Sequence, residues 1–438
     1  MARPETLRGL PRAPLHAVAR HGVKLLRPGA GTSPLVRLGE RFVVTAPFSP
    51  PTLVTTDVDD VRELFTDPAE NFSFGAVLRR FSSLETRLGS DALLFLEGDS
   101  HRVERKQLVP SFMGPAVKSY EGLIADAVRS RVDEWPVGEP LNFVDVAERL
   151  LLDVMISIIF GVTEPNRIAR LEEALQRWLA AGQSAAFRGL TVLGIMTGGH
   201  TFGYPPLRRA AAALDAICLE EISERRVGGE ASAGVIDGLL GANNSRTDPK
   251  DDLALARVLR GAILGYETTA TTLAWVAELV SHHHEVLSEL ERTLENDDES
   301  YLDAVIRETL RYRPPVPVSV RRAVRDTELN GMRIPKRATV MVPTLALHER
   351  SDIYERPQQF KPERFLGTRP GTYEFLTFGA GAHRCLGDRL AIAEVRVLIR
   401  TLMQYRRFTP LPGPASRPGL RPTMLVPGNG AKIVLGHR

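Results

Sequence analysis

The residues of this chain with the clearest chemistry gather around one thiol. In the stretch FLTFGAGAHRCLGDRLAIAE, Phe375 to Glu394, Cys385 stands between a glycine-crowded loop and a run with helical periodicity. Leu386, Leu390, Ala393 and Val397 recur at helical spacing with Asp388 in the first turn, which predicts Cys385 at or just before a helix N-terminus. Free backbone N–H groups and the positive end of the helix dipole stabilise a thiolate there, and His383 and Arg384 add donors or positive charge. A stabilised thiolate is either a nucleophile or a metal ligand. A nucleophile needs an aligned base, and His383, two residues away, is poorly placed to be one, so a cysteine hydrolase or transferase is disfavoured. Gly379, Gly381 and Gly387 point instead to close approach of another group to the main chain.

Other candidate groups lie upstream. Glu308 and Arg311 in ETLR are i,i+3 neighbours on one helix face, a pairing that alone reads as an ordinary surface pair; Arg364 follows in FKPERF. The segment LGYETTATT sets Gly265, Glu267 and Thr268 inside an apolar helical stretch, where threonines bend helices by bonding back to the carbonyl at i−4. In GDSHRVERK, His101 and Arg105 are one turn apart and suit an anion. Consecutive His282, His283 and His284 diverge from one another and read as a solvated helix end rather than a metal site.

The elements that must position these groups are mostly helical. The 438 residues are 43% apolar and 25% charged, with a net charge of +3 that gives no basis for nucleic-acid binding. Two cysteines far apart, Cys218 and Cys385, argue against a disulfide framework and for a reducing, cytoplasmic setting; Cys218, on an amphipathic helical pattern, reads as a core thiol. The most apolar stretch carries Glu267 and Glu278, so no membrane span is expected. Residues 1–33, rich in arginine and proline, read as a solvated lead-in arm. A small β-rich region follows from Leu35 to Thr56, then helices to about Arg226, a loop-like connection, and one long helix from about Asp251 to Val280. Past Pro314, TELNGMRIP and ATVMVPTLALH read as strands, Asn330-Gly331 as a hairpin turn, and TMLVPGNGAKIVLG as a last strand pair. Residues 34–438 are therefore expected to form one mainly α domain with smaller β regions, an α+β fold.

Taken with this order of elements, FGAGAHRCLG resembles the haem-binding signature of the cytochrome P450 superfamily at Phe378, Gly379, Gly381, His383, Cys385 and Gly387. The resemblance implies the cytochrome P450 fold, with haem b between a long distal helix and the proximal helix after the cysteine loop. It makes Cys385 the axial ligand of the iron, with Phe378 beside the sulfur and the glycine loop against the porphyrin. His383, His101, Arg105 and Arg321 become propionate partners, although Arg322 beside Arg321 leaves that register open. Gly265 would leave room for dioxygen, Glu267 and Thr268 would relay protons, and Glu308, Arg311 and Arg364 would form a buried network under the cysteine loop. The sequence departs from the pattern at Leu264, where many members carry a small residue, and Tyr266 follows the glycine.

The implied function is a soluble bacterial-type haem-thiolate monooxygenase that inserts one oxygen atom from dioxygen into an apolar or amphipathic small molecule. Its substrate would meet Leu264, Tyr266, Val316, Val318 and the segments Phe72–Leu96, Phe187–Tyr204 and Pro422–Leu425. With no flavin or iron–sulfur segment in this chain, electrons are expected from a ferredoxin and its reductase, docking near Arg384, Arg389, Arg102 and Lys106. Two alternatives share the haem site: a peroxide-dependent peroxygenase, which tends to lose the acid and alcohol kept here, and a non-catalytic haem scaffold or recruitment domain.

Overall fold

Alternating side chains near the N-terminus pair into a sheet because one face of each strand must be covered. The computed structural model describes residues 6–14, 33, 35–45, 50–67, 71–79, 82–162, 164–196, 203–227, 234–242, 249–421 and 424–438. The chain divides into two compact units: Met1–Ser73, Val128–Glu148 and Thr268–Arg438 form unit 1, and Phe74–Ala127 with Arg149–Glu267 form unit 2.

Unit 1 carries the strands β1 (Arg12–Ala13), β2 (Arg41–Val44), β3 (Thr52–Thr55), β4 (Phe72–Ser73), β5 (Pro140–Asn142), β6 (Ser319–Ala323), β7 (Thr327–Leu329), β8 (Met332–Ile334), β9 (Thr339–Val342), β10 (Arg406–Pro410), β11 (Pro418–Arg421), β12 (Met424–Pro427) and β13 (Lys432–His437). Six of them form a mixed sheet in the order β1-β2-β3-β9-β6-β4. Val43, Leu53, Val340 and Val342 pack there against Leu64 and Phe65 of the Val58–Thr66 helix. Asp57 caps that helix by accepting from the N–H groups of Asp59 and Asp60. The segment read as a solvated lead-in contributes two core residues: Ala13, on β1 where it pairs in parallel with β2, and Leu7, which joins the core cluster that includes Met332 and Ile334.

Three further expectations need correction. ATVMVPTLALH is not one strand: β9 ends at Val342, Pro343 takes the helix N-cap position, and Thr344–His348 is helical. The last two strands do not pair with each other. β12 pairs with β11, and the Leu425 carbonyl accepts the Trp275 indole N–H at 3.0 Å, whereas β13 lies between β10 and β5. The long helix is two, Pro249–Ile263 and Gly265–His282, parted at Leu264. Leu264 N–H donates to the Gly261 carbonyl three residues back, a 3-10-type bond that takes the place of simple α-helical continuity.

Unit 2 consists almost wholly of helices. Leu171, Leu175 and Trp178 of the Pro165–Gln183 helix are fully buried, as are Leu207, Leu214 and Cys218 of the Pro205–Arg226 helix. Burial pushes the Cys218 thiol pKa up, so this cysteine behaves as the expected apolar core group. Among the described residues, no helix is long and apolar enough to cross a membrane.

The hairpin turn between β7 and β8 has φ of 47° at Asn330 and 74° at Gly331, the positive pair that matches strand twist. Gly331→Ala should therefore lower stability by about 1 kcal/mol in a denaturant titration. An unchanged midpoint would show that the turn relaxes without strain.

Candidate functional site

The loop around Cys385 is built by short-range backbone bonds. Gly379 N–H donates to the Leu376 carbonyl at 2.8 Å, and Cys385 N–H donates to the Phe378 carbonyl at 2.8 Å. Gly379 and Gly381 have φ of +65° and +67°, and a Cβ on Gly381 would stand 1.9 Å from the Phe65 carbonyl oxygen. The predicted close approach is thus made at Gly381 by the protein's own backbone. Gly387 differs, because it occupies the N-cap of the Asp388–Tyr405 helix with φ −90°, and a Cβ there would meet no atom of the described residues within 4 Å. Packing within the chain gives no reason for that glycine. The Cys385 residue is exposed, and Phe378 and His383 beside it are half-buried. Arg384 turns onto Asp388, with contacts of 2.9 and 2.7 Å, and so caps the helix start as an ion pair.

Beneath this loop the structure brings Glu308, Arg311 and Arg364 together. Arg311 donates to Glu308 through Nε at 2.7 Å and Nη2 at 2.8 Å, and neither side chain is reached by solvent. Arg364 Nε stands 3.1 Å from Glu308 Oε2, and Lys361 N–H donates to Oε1 at 2.8 Å. Arg311 also donates to the His348 carbonyl at 3.0 Å and faces the Tyr354 ring at 5.3 Å. Nearly every polar atom of the pair is occupied, which is what makes burial of two charges tolerable.

The broken helix carries the remaining candidate chemistry. Gly265, Tyr266 and Glu267 open it within unit 2, and it continues in unit 1 from Thr268. A Cβ on Gly265 would meet no atom of the described residues within 4 Å, Tyr266 is buried, and Leu264 packs on the Leu88, Ala92 and Phe95 cluster. Glu267 is held by two partners: Arg87 at 2.7 Å and Gln183 at 3.2 Å, with the Arg87 guanidinium 5.0 Å from the Trp178 ring centre. In unit 1 the Thr269 hydroxyl bonds Glu394, a fully buried carboxyl on the helix that follows the cysteine loop. Desolvation raises the Glu394 pKa from 4.5 to about 8, and its Oε1 has no hydrogen-bond partner.

The anion-directed candidates are inward-facing. His101 is buried and Arg105 half-buried on the Gly98–Leu108 helix of unit 2. In unit 1, Arg321 is buried with its guanidinium 4.7 Å from the Phe65 ring centre, and strand alternation sends Arg322 to the other face. Val316 is exposed and Val318 half-buried. Pro422 and Thr423 of the expected substrate segment lie outside the described residues, as do residues 80, 81 and 197–202. His282 and His283 each turn Nδ1 onto the carbonyl four residues back, Glu278 at 2.9 Å and Leu279 at 2.7 Å, and so finish a helix end.

Comparison with known proteins decides the family. A family model described as Cytochrome P450 matches residues 40–433. The chain belongs to the cytochrome P450 family. It is 31% identical to the Mycobacterium tuberculosis protein named cytochrome P450 137, over 98% of this chain and 86% of that one. It is 32% identical to cyclooctat-9-en-7-ol 5-monooxygenase of Streptomyces melanosporofaciens, over 81% of this chain and 79% of that one. The retinoic acid-bound cyanobacterial CYP120A1 shares the fold, with a TM-score of 0.75 at 22% identity and 92% coverage of each chain. This P450 is accordingly a monooxygenase, an oxidoreductase of a family that binds haem and draws on redox partners. The residues present fit that group: an exposed thiol just before a helix start, glycines at 265 and 387 where a Cβ would meet no atom of the described residues within 4 Å, and buried basic side chains.

Sequence reading missed Arg87, Gln183, His348 and Glu394. Only Glu394 left a signal, since a carboxylate four residues after Leu390 and three before Val397 falls on the apolar helix face. A raised carboxyl pKa stabilises the fold below the unfolded value, and that contribution is lost as pH rises from about 4.5 to about 8. Glu394→Gln should remove this loss, so that thermal melts shift in the variant's favour across that range. Parallel melting curves for the two proteins from pH 4.5 to 8 would refute a neutral buried acid.

Proposed function

We propose that this P450 inserts one oxygen atom from dioxygen into a C–H bond or alkene of an apolar or amphipathic small molecule, with Cys385 as the axial thiolate of haem b. The observation that carries this reading is the exposed thiol on a loop held by two positive-φ glycines above a wholly buried Glu308–Arg311 pair. Haem held by that thiolate would supply the dioxygen-activating chemistry. The protein's residues do the rest. Phe378 shields the sulfur, Gly379, Gly381 and Gly387 keep the loop low enough for a planar ligand, and Glu308, Arg311 and Arg364 fix its height. His101, Arg105, Arg321 and His383 neutralise the propionates.

Proton delivery falls to Glu267 and Thr268. Glu267 Oε1 accepts from both Arg87 and Gln183, so it passes a proton toward the Thr268 hydroxyl only when the Arg87 pair opens. Gly265 leaves the space beside this pair clear, while Leu264, Tyr266, Val316 and Val318 bound the substrate. The relative from Streptomyces melanosporofaciens is named for a cyclic alkenol, and the apolar Leu88–Phe95 cluster under Leu264 supports a substrate of comparable hydrophobicity in secondary metabolism.

Reduced protein under carbon monoxide should show a strongly red-shifted Soret band, abolished by Cys385→Ser; haem binding without that band in the unmutated protein would refute thiolate ligation. Thr268→Ala should cut product formed per dioxygen consumed by about tenfold or more and release peroxide. Unchanged coupling would point to a peroxide-driven enzyme.

A ferredoxin and its reductase are the proposed electron source in the cytoplasm, where the sparse cysteines remain reduced. Arg389 and Lys106 are exposed and offer positive charge to an acidic partner, whereas Arg384 is engaged by Asp388 and Arg102 by Asp99. Arg389→Glu and Lys106→Glu should each slow reduction by a ferredoxin several-fold at low salt, with the difference shrinking as salt rises. Equal rates and salt slopes would move the docking site elsewhere.

A further inference from the structure

His348 is the last residue of the short Thr344–His348 helix, and no part of it reaches solvent. Both ring nitrogens are used. Nδ1 lies 3.1 Å from the Arg311 carbonyl oxygen, and Nε2 accepts the Leu376 backbone N–H at 3.0 Å. A carbonyl can only accept and an amide N–H can only donate, so the ring is the neutral tautomer with its proton on Nδ1. Desolvation, reinforced by the adjacent Arg311 charge, holds its pKa down to about 3. The ring also stacks on Phe375 at 5.5 Å and 12°, and meets Tyr354 edge-on at 6.1 Å.

The partners of this ring matter more than its burial. Arg311 is the centre of the buried charge network, and it donates in return to the His348 carbonyl at 3.0 Å. Leu376 begins the cysteine loop, and its own carbonyl receives the Gly379 N–H. Two neighbouring ties hold the same segment: the Thr377 hydroxyl on the Leu310 carbonyl at 2.8 Å and the Tyr354 hydroxyl on the Glu374 carbonyl at 3.2 Å. Of the three ties, that of His348 alone bonds Arg311 at one end and the loop backbone at the other. A path of hydrogen bonds therefore runs from Glu308 through Arg311 and His348 to Leu376 and on to Gly379.

We propose that His348 is a positioning residue for the thiolate, a proton-fixed imidazole that ties the buried Glu308–Arg311 pair to the first backbone amide of the cysteine loop. The imidazole makes no contact with the reacting atoms and acts through the loop. An imidazole suits the post because it alone among neutral side chains offers a donor and an acceptor about two ångströms apart on opposite sides of a rigid ring that also stacks. Protonating it would turn the Nε2 acceptor into a donor facing an N–H group, beside the Arg311 cation. Acid should then loosen the loop before the rest of the fold.

The inference rests on the haem-thiolate reading for its functional meaning, so the test uses two readouts on the full-length holoenzyme. His348→Phe keeps the stack on Phe375 and loses both hydrogen bonds; His348→Gln keeps an acceptor and a donor. In His348→Phe, amide hydrogen exchange of the peptide spanning residues 374–380 should quicken about tenfold or more while the Asp388–Tyr405 helix exchanges as before. More than half of its reduced carbon monoxide complex should lose the red shift near neutral pH, and His348→Gln should restore much of it. Unchanged exchange in the loop together with an unmoved band would overturn the proposal, as would equally faster exchange throughout unit 1. Should His348→Phe not accumulate as folded protein, His348→Gln decides by the same readouts: intermediate exchange and a partial band support the role, and values equal to the unmutated protein at every pH from 4 to 8 oppose it. If the unmutated protein itself lacks the red-shifted band, the thiolate reading fails, and the exchange measurement still judges the tie to Leu376.

Discussion

A charge pair sealed from water organises unit 1. Glu308 and Arg311 have no access to solvent, and removing either partner would leave the other charged group stranded in a low dielectric. That penalty makes the surrounding geometry stringent. Lys361 N–H, Arg364 and the carbonyls of His348 and Gln359 must arrive at fixed distances to occupy the remaining lone pairs and protons. Those atoms come from the chain segment leading to the cysteine loop, so the network dictates how the loop is carried. Such a pair contributes little net stability against an apolar replacement, and its value lies in admitting one arrangement.

The thiol itself depends on softer effects. Its amide is bonded back to Phe378, the helix beyond begins only at Asp388, and Arg384, next to it in sequence, is paired with that aspartate. Oriented N–H groups and the helix dipole offer the sulfur positive character, and the Arg384 charge is partly offset by its ion pair with Asp388. The environment of a ligand sulfur is tuned by such hydrogen bonds and by access of water as much as by the ligand's identity.

How much of this was legible in the sequence differs by element. The helical period after Cys385, the positive-φ turn at Asn330-Gly331 and the amphipathic helix holding Cys218 are local signals, and they were read in place. The family could be read from a short window because glycine, histidine and cysteine at fixed spacing serve one purpose there. What failed was non-local or cooperative. The break at Leu264 follows from backbone bonding that no single residue announces, and β13 chooses partners that lie more than 20 residues away in β10 and nearly 300 residues away in β5. Arg87 reaches Glu267 across 180 positions, which spacing on one helix cannot foretell. His348 sat in a stretch read as a strand, so its two bonds could not be inferred from the pattern.

The seat of Gly381 on the Phe65 carbonyl has a consequence for how the molecule is assembled. The two members of that contact are made more than 300 residues apart in synthesis. Closing so long a loop costs entropy that no local contact repays, so this corner forms late and only once the intervening chain has collapsed. A growing chain thus holds the Val58–Thr66 helix through all of those intervening residues without the turn that will rest on it. The cysteine loop is in this sense a final keystone, and the capacity to bind a prosthetic group arrives with the completed fold and at no earlier stage.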